Sequence, residues 1–145
     1  MTAGTPLQID GEVASPATLS RKDLAGFPDE ARIDDVSQIA DRRQWRAVRL
    51  SALLNRVQPG ETATHVTLHA SADDFAASIP LEAASELGIL IYEINGEPLD
   101  TKAGGPFRFL IPNAAECKTA ELDACANVKF LDRIELTAGK GRDTR

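Results

Sequence analysis

The chain has little of several things, and each shortage narrows its class. Two cysteines in 145 residues, Cys117 and Cys125, are too few for a disulfide framework or a four-ligand zinc site. In a reducing cytoplasm they stay thiols, although their spacing also allows a bridge across a loop. No apolar run approaches the roughly 20 residues of a membrane span. Positive charge is in deficit: 16 Lys and Arg against 22 Asp and Glu leave a net charge of −6. That balance argues against a general nucleic-acid binder and against an anionic-membrane binder. The opening Met1-Thr2-Ala3-Gly4-Thr5-Pro6 has neither the basic start nor the apolar stretch of a secretory signal, so the expected location is the cytoplasm.

What is present is ordinary for a soluble globular protein: 43% hydrophobic and 26% charged residues, in a chain long enough to bury a core without staples. No internal repeat or linker interrupts it, so residues 1–145 are expected to form one domain. Residues 1–5 and 139–145 are expected to be mobile tails.

The regular signals are mostly short and strand-like. Leu7, Ile9 and Val13 around Asp10-Gly11 suggest a small hairpin. Ser20 followed by Asp23 marks a short helix that stops before Pro28. Leu50, Leu53, Leu54 and Val57 fall at i, i+3, i+4 and i+7, one face of a helix closed by Pro59-Gly60. Val66, Leu68 and Ala70 alternate with His65, Thr67 and His69, the period of a half-buried strand. A second strand covers Phe75 to Ile79, and a short helix with Leu81, Ala84 and Leu87 follows. The most apolar strand is Ile89 to Ile94, closed by Asn95-Gly96. Further strands are expected at Phe107–Ile111, Asn127–Phe130 and Arg133–Thr137. Strands outnumber helices without regular βα alternation, which gives an α+β class, mainly β with a few short helices.

His65 and His69 have a spacing that shares a metal only on a helix. On a strand, four residues span about 13 Å, too far for one ion to bridge. They read as strand histidines, and no metal site is expected. Arg108 is more informative. It sits among Phe107, Phe109, Leu110 and Ile111 and does not shed its charge, so an anion is needed beside it. That anion is either a carboxylate such as Glu93 or Asp132, or a bound phosphate gripped by two parallel hydrogen bonds. Lys129, between Val128 and Phe130, poses a similar question, but its long stem lets the ammonium reach water. Asn127 offers a donor and an acceptor to a heterocycle or to a turn. Gly104-Gly105-Pro106 permits close approach of a ligand to the backbone, although glycines in a turn need no ligand. Arg42, Arg43, Arg46, Arg49 and Arg56 form a basic cluster in an acidic chain, a solvated face or a landing surface for an anionic partner. Redox chemistry by Cys117 and Cys125 rests only on their closeness in sequence.

Several blocks in order resemble the molybdopterin-binding domain of sulfite oxidase-type oxidoreductases. They are Leu7–Val13 with Pro16 and Leu19-Ser20, Trp45–Leu50 with Leu53-Leu54, Thr64-His65-Val66, Ala77–Leu81, Tyr92–Leu99, Gly105–Arg108, Asn127–Leu131 and Arg133-Ile134. The resemblance implies a mainly β, mixed-sheet fold with short helices and a pyranopterin cofactor that carries molybdenum and a phosphate. It implies that Arg108 contacts the anionic part of the molybdopterin, that Asn127 and Lys129 grip the pterin, and that Asp73 is a loop acid near it. The departures are specific. The family's molybdenum-ligand cysteine precedes the tryptophan motif, where this chain reads Ile33-Asp34-Asp35-Val36-Ser37; Ala103 and Ala47 also differ from the pattern.

Two functions follow. One is a molybdopterin-binding, oxidoreductase-like domain that binds a pterin cofactor or other small anionic ligand, with catalysis, if any, supported by a protein partner. The other is a non-catalytic binding module on the same fold, with Arg108 satisfied by an internal carboxylate. Catalytic residues are not identifiable from the sequence.

Overall fold

Alternating apolar residues in strands this short need a second layer to bury them, and two sheets supply it for each other. The computed structural model describes residues 6–33, 45–94, 97–99, 105–111 and 128–144. In chain order the elements begin with β1 (Leu7–Gly11), β2 (Ala17–Leu19), α1 (Arg21–Ala25), β3 (Arg32–Ile33), β4 (Trp45–Arg49) and α2 (Leu50–Val57). After these come β5 (His65–Ala70), a single 3-10 turn (Ser71–Asp73), β6 (Phe75–Pro80), α3 (Leu81–Leu87) and β7 (Ile89–Ile94). The two-residue β8 (Glu97–Pro98), β9 (Phe107–Leu110), β10 (Val128–Leu131) and β11 (Arg133–Thr137) complete the order.

The first sheet runs β2-β1-β11-β5-β6 and the second β10-β9-β7-β4-β3, with β8 paired to β7. The first sheet is mixed, because β1 and β11 are parallel while its other pairs are antiparallel. The main core brings Leu7, Ile9, Leu68 and Ile134 of the first sheet together with Val48, Leu90, Tyr92, Phe107 and Phe109 of the second. A smaller cluster of Ile33, Ala47, Ile89, Ile91 and Leu99 carries the remaining apolar residues of the second sheet and its surroundings.

The helices follow their sequence signals. On α2, Leu50, Leu53, Leu54 and Val57 are all buried, each contributing roughly 1.5–3 kcal/mol relative to exposure. On α3, Ala84 is buried but Leu87 is 48% exposed, so the expected apolar face is only partly used. Ser20 caps α1 in a reciprocal box: the Asp23 N–H donates to Ser20 Oγ at 3.2 Å and the Ser20 N–H donates to Asp23 Oδ2 at 2.9 Å. The Ser20 backbone N–H foremost, and then the Ser20 hydroxyl, hold the Asp23 carboxyl below its usual range.

Two expectations are corrected. Asp10-Gly11 is not the tip of a two-residue hairpin. Both residues remain paired with β11, opposite Glu135 and Leu136, and the connection to β2 comes later. Gly11 has φ +89° and a Cβ there would overlap the Leu136 carbonyl, so glycine is required by the approach of β1 to β11. The segment after Gly139 was expected to be a mobile tail, but it lies hydrogen-bonded along β6. The Thr144 N–H donates to the Ala76 carbonyl at 2.8 Å, and the Ala76 N–H donates to Thr144 Oγ1 at 3.1 Å. The Ser78 N–H donates to Asp143 Oδ2 at 3.3 Å, and the Gly141 N–H donates to Ser78 Oγ at 2.9 Å. β6 is an edge strand, and these bonds satisfy groups that a bare edge leaves open to other chains.

Gly105 also answers to the chain itself. It is buried, and a Cβ there would overlap the backbone carbonyl of Leu99. Gly105→Ala is therefore expected to destabilise the protein by about 1–3 kcal/mol in urea unfolding, since backbone must move to admit the methyl group; unchanged stability would show that the packing relaxes freely. A second expectation concerns acid. Because the folded pKa of Asp23 is depressed, its contribution is complete above the unfolded carboxylate value and is lost as pH falls through the folded value. Asp23→Asn should be less stable than the parent chain at neutral pH, with the gap closing in acid. A gap independent of pH would contradict the cap assignment.

Candidate functional site

Arg108 lies in the middle of β9, where alternation sets its direction. Phe107 and Phe109 belong to the main core, whereas Leu110 packs against the smaller cluster on the other side. Arg108 shares that second side and is half-buried. Its guanidinium carbon lies 4.8 Å from the centroid of the Trp45 ring, within cation–π range, an interaction worth about 0.5–2 kcal/mol. The two residues come from strands that flank β7: Ile91 pairs with Ala47 on β4 and with Arg108 on β9. Trp45 is the only tryptophan in the chain.

The carboxylates suggested by sequence make other contacts. Glu93, whose side chain is 6% exposed, accepts from Arg21 Nη1 at 2.9 Å and from Arg46 Nη1 at 3.0 Å. Asp132 Oδ1 accepts from the Ser71 N–H at 3.2 Å and from Ser71 Oγ at 3.1 Å. An aromatic partner for Arg108 was not foreseen. The available signal was the lone Trp45 opening a strand, but only the sheet order places it across β7 from Arg108.

Lys129 arrives on the same rung. β10 pairs with β9 through Val128 opposite Phe109 and Leu131 opposite Phe107, with a register shift between. Lys129 and Phe130 together therefore oppose the single residue Arg108, a β-bulge. Phe130 has φ +60°, a left-handed conformation that costs an aromatic residue about 1–2 kcal/mol. Such strain collects where a local geometry has a use. Lys129 is exposed, as its long stem allows. Asp73 is exposed in the 3-10 turn, which packs against β10 and is tied to it through Ser71 and Asp132. The structure thus brings Arg108 and Lys129 to one place and sets Asp73 in a neighbouring turn. Asn127 lies outside the described residues, as do Cys117, Cys125, Ala103, Gly104, Arg42, Arg43 and the stretch 34–37.

Among the described residues no group of His, Cys, Asp and Glu is arranged to hold a metal. The histidines sit on β5 as strand residues, His69 Nε2 3.0 Å from Glu135 Oε1 and His65 Nδ1 2.9 Å from Thr64 Oγ1. The basic cluster is divided. Arg46 pairs with Glu93, whereas Arg49 and Arg56 line a surface cleft of about 570 Å³ beside α1 and α2. Arg56 lies over the Phe27 ring there, and Asp23 and Glu30 line the same cleft. With both signs of charge present, that cleft has no clear preference for anions.

Comparison with known proteins places the chain in a family and a fold. Residues 4–144 match the family model described as the oxidoreductase molybdopterin binding domain. The uncharacterized oxidoreductase YuiH of Bacillus subtilis is 30% identical over 120 residues, covering 79% of this chain and 60% of that protein. The mitochondrial sulfite oxidase of Drosophila melanogaster is 35% identical over 111 residues, covering 70% of this chain but 18% of that protein. In fold, the sulfane dehydrogenase SoxCD of Paracoccus pantotrophus superposes with a TM-score of 0.71 at 19% identity, covering 97% of this chain and 40% of that one. The chain therefore spans only part of the length of each of these relatives. It belongs to the oxidoreductase molybdopterin-binding domain family, on a sulfite oxidase-type fold.

Proposed function

We propose that this chain binds the phosphate-bearing pterin of molybdopterin on the face formed by Trp45, Arg108 and Lys129. The observation that supports this most directly is the half-buried Arg108 guanidinium, stacked on Trp45 and opposed by a strained bulge that carries a second cation. Stacking orients the planar guanidinium, and an oriented fork is what a phosphate accepts through two parallel hydrogen bonds. Lys129 adds a point charge on a flexible stem. Asn127 is assigned to the pterin edge as a donor and acceptor, and Asp73 to the rim of the site.

The donor set suits the anionic half of the cofactor. A soft thiolate for molybdenum is not among the described residues, and Ile33–Ser37 contains no cysteine; aspartate and serine are hard oxygen donors and poor substitutes. When bound, the metal-bearing cofactor supplies two-electron redox chemistry. The contribution of this chain is to bind the anion, orient it and neutralise its charge. Two levels of activity follow: a molybdopterin-dependent oxidoreductase of sulfite oxidase type, assisted by a protein partner, or a binding module that retains the pterin site without catalysis. The cysteine-free stretch before Trp45 favours the second.

Purification from a molybdenum-replete host, followed by metal analysis and pterin fluorescence after denaturation, tests the proposal. Pterin is expected in the parent chain. Its yield should fall about tenfold or more in Arg108→Ala, the factor for losing a charge-assisted bidentate contact. In Lys129→Ala, an exposed cation, it should fall only about threefold. Pterin with molybdenum would support the enzyme, and pterin without molybdenum the binding module. Absence of both from the parent chain would overturn the proposal.

A further inference from the structure

Glu93 is the buried charged residue among the described residues, and its burial is of a particular kind. It is 4% exposed, yet both arginines that hold it reach toward solvent, with side chains 30% and 49% exposed for Arg21 and Arg46. A carboxylate so placed must keep its partners, because an unpaired buried charge is costly. Its two oxygens are divided. Oε2 takes Arg21, which opens α1, and Oε1 takes Arg46, which stands directly opposite Glu93 on the β4–β7 ladder.

The position of that second bond is informative. The β4–β7 ladder shifts register between Arg46 and Ala47: Arg46 faces Glu93 and Ala47 faces Ile91, so Tyr92 on β7 is the extra residue. The next pair on the other side is Trp45 with Ile94, the last rung of the ladder at that end. The two rungs beyond that bulge, Arg46 with Glu93 and Trp45 with Ile94, are cut off from the regular ladder, and backbone bonding alone holds such a short end weakly. The Glu93–Arg46 bond ties down this end one residue from the ring on which Arg108 lies.

We infer that Glu93 is a positioning residue: through Arg46 it fixes the start of β4, and so holds Trp45 over Arg108. It touches neither Trp45 nor Arg108 by any hydrogen bond or ion pair named above, and acts through the strand. The Arg21 bond adds α1 to the same anchor, so the helix, β4 and β7 converge on one carboxylate. The consequence for ligand binding rests on the molybdopterin reading; the consequence for Trp45 does not.

The experiment uses the full chain and its single tryptophan. Acrylamide quenching and the emission maximum of Trp45 are measured under conditions where each variant is folded, alongside thermal unfolding and pterin yield. Glu93→Gln and Arg46→Met are each expected to increase quenching and shift the emission, and the double variant to do no more than either alone, since both act on one link. Arg21→Met should change Trp45 less. Pterin yield should fall about tenfold in Glu93→Gln. Arg46→Met alters a half-exposed side chain and keeps the test available if Glu93→Gln does not fold. A lowered unfolding temperature with Trp45 quenching and emission unchanged would overturn the inference and leave Glu93 as a stabilising residue only. A parent chain without pterin, in which Trp45 still responds to Glu93, would overturn the ligand reading and leave the positioning role standing.

Discussion

A guanidinium keeps its charge in any environment a protein offers, so a strand that places one among phenylalanines must also provide for it. One contact that the structure gives it is the indole of Trp45, 4.8 Å away across β7. Several features of the second sheet converge on that contact. β7 separates the two residues, the bulge on β10 brings Lys129 to the same rung, and Glu93 ties the start of β4 through Arg46. The proposed role for this contact is to orient the guanidinium toward the phosphate of the cofactor.

Charge is distributed unevenly in this acidic protein. Net charge of −6 opposes polyanions in general, but local arrangement decides the contact at a site. Arg21 and Arg46 share one carboxylate, while Arg108 and Lys129 meet across the β9–β10 ladder. The cleft beside α2 is lined by Arg49 and Arg56 together with Asp23 and Glu30.

Local signals were legible where one physical cause dominated. The apolar face of α2 and the Ser20–Asp23 cap follow from spacing, and the structure has them as read. β5 is a strand as expected, but Thr67 on its polar side is buried and donates to Ser78 Oγ, so the half-buried alternation does not hold. Signals with two possible causes misled. Asp10-Gly11 has the chemistry of a tight turn, yet Gly11 serves the close approach of β1 to β11, a pairing of residues more than a hundred positions apart. The polar tail from Gly139 looked unanchored because its partners, Ala76 and Ser78, lie on a distant edge strand. At the site, the neighbours of Arg108 called for an anion beside it, and the contact with the Trp45 ring was not readable. That required the order β9-β7-β4, which no local pattern encodes. Asn127, the cysteines and the stretch before Trp45 lie outside the described residues, so the resemblance remains the basis for their roles.

The central claim is that the Trp45–Arg108 face receives a phosphate-bearing pterin, and the indole sits where it can report this. Equilibrium titration of the cofactor-free chain with isolated molybdopterin, followed by Trp45 fluorescence, is the most direct measurement. Saturable quenching that disappears when Arg108 is replaced by alanine is the predicted result. Fluorescence indifferent to the pterin, or equally responsive without Arg108, would contradict it.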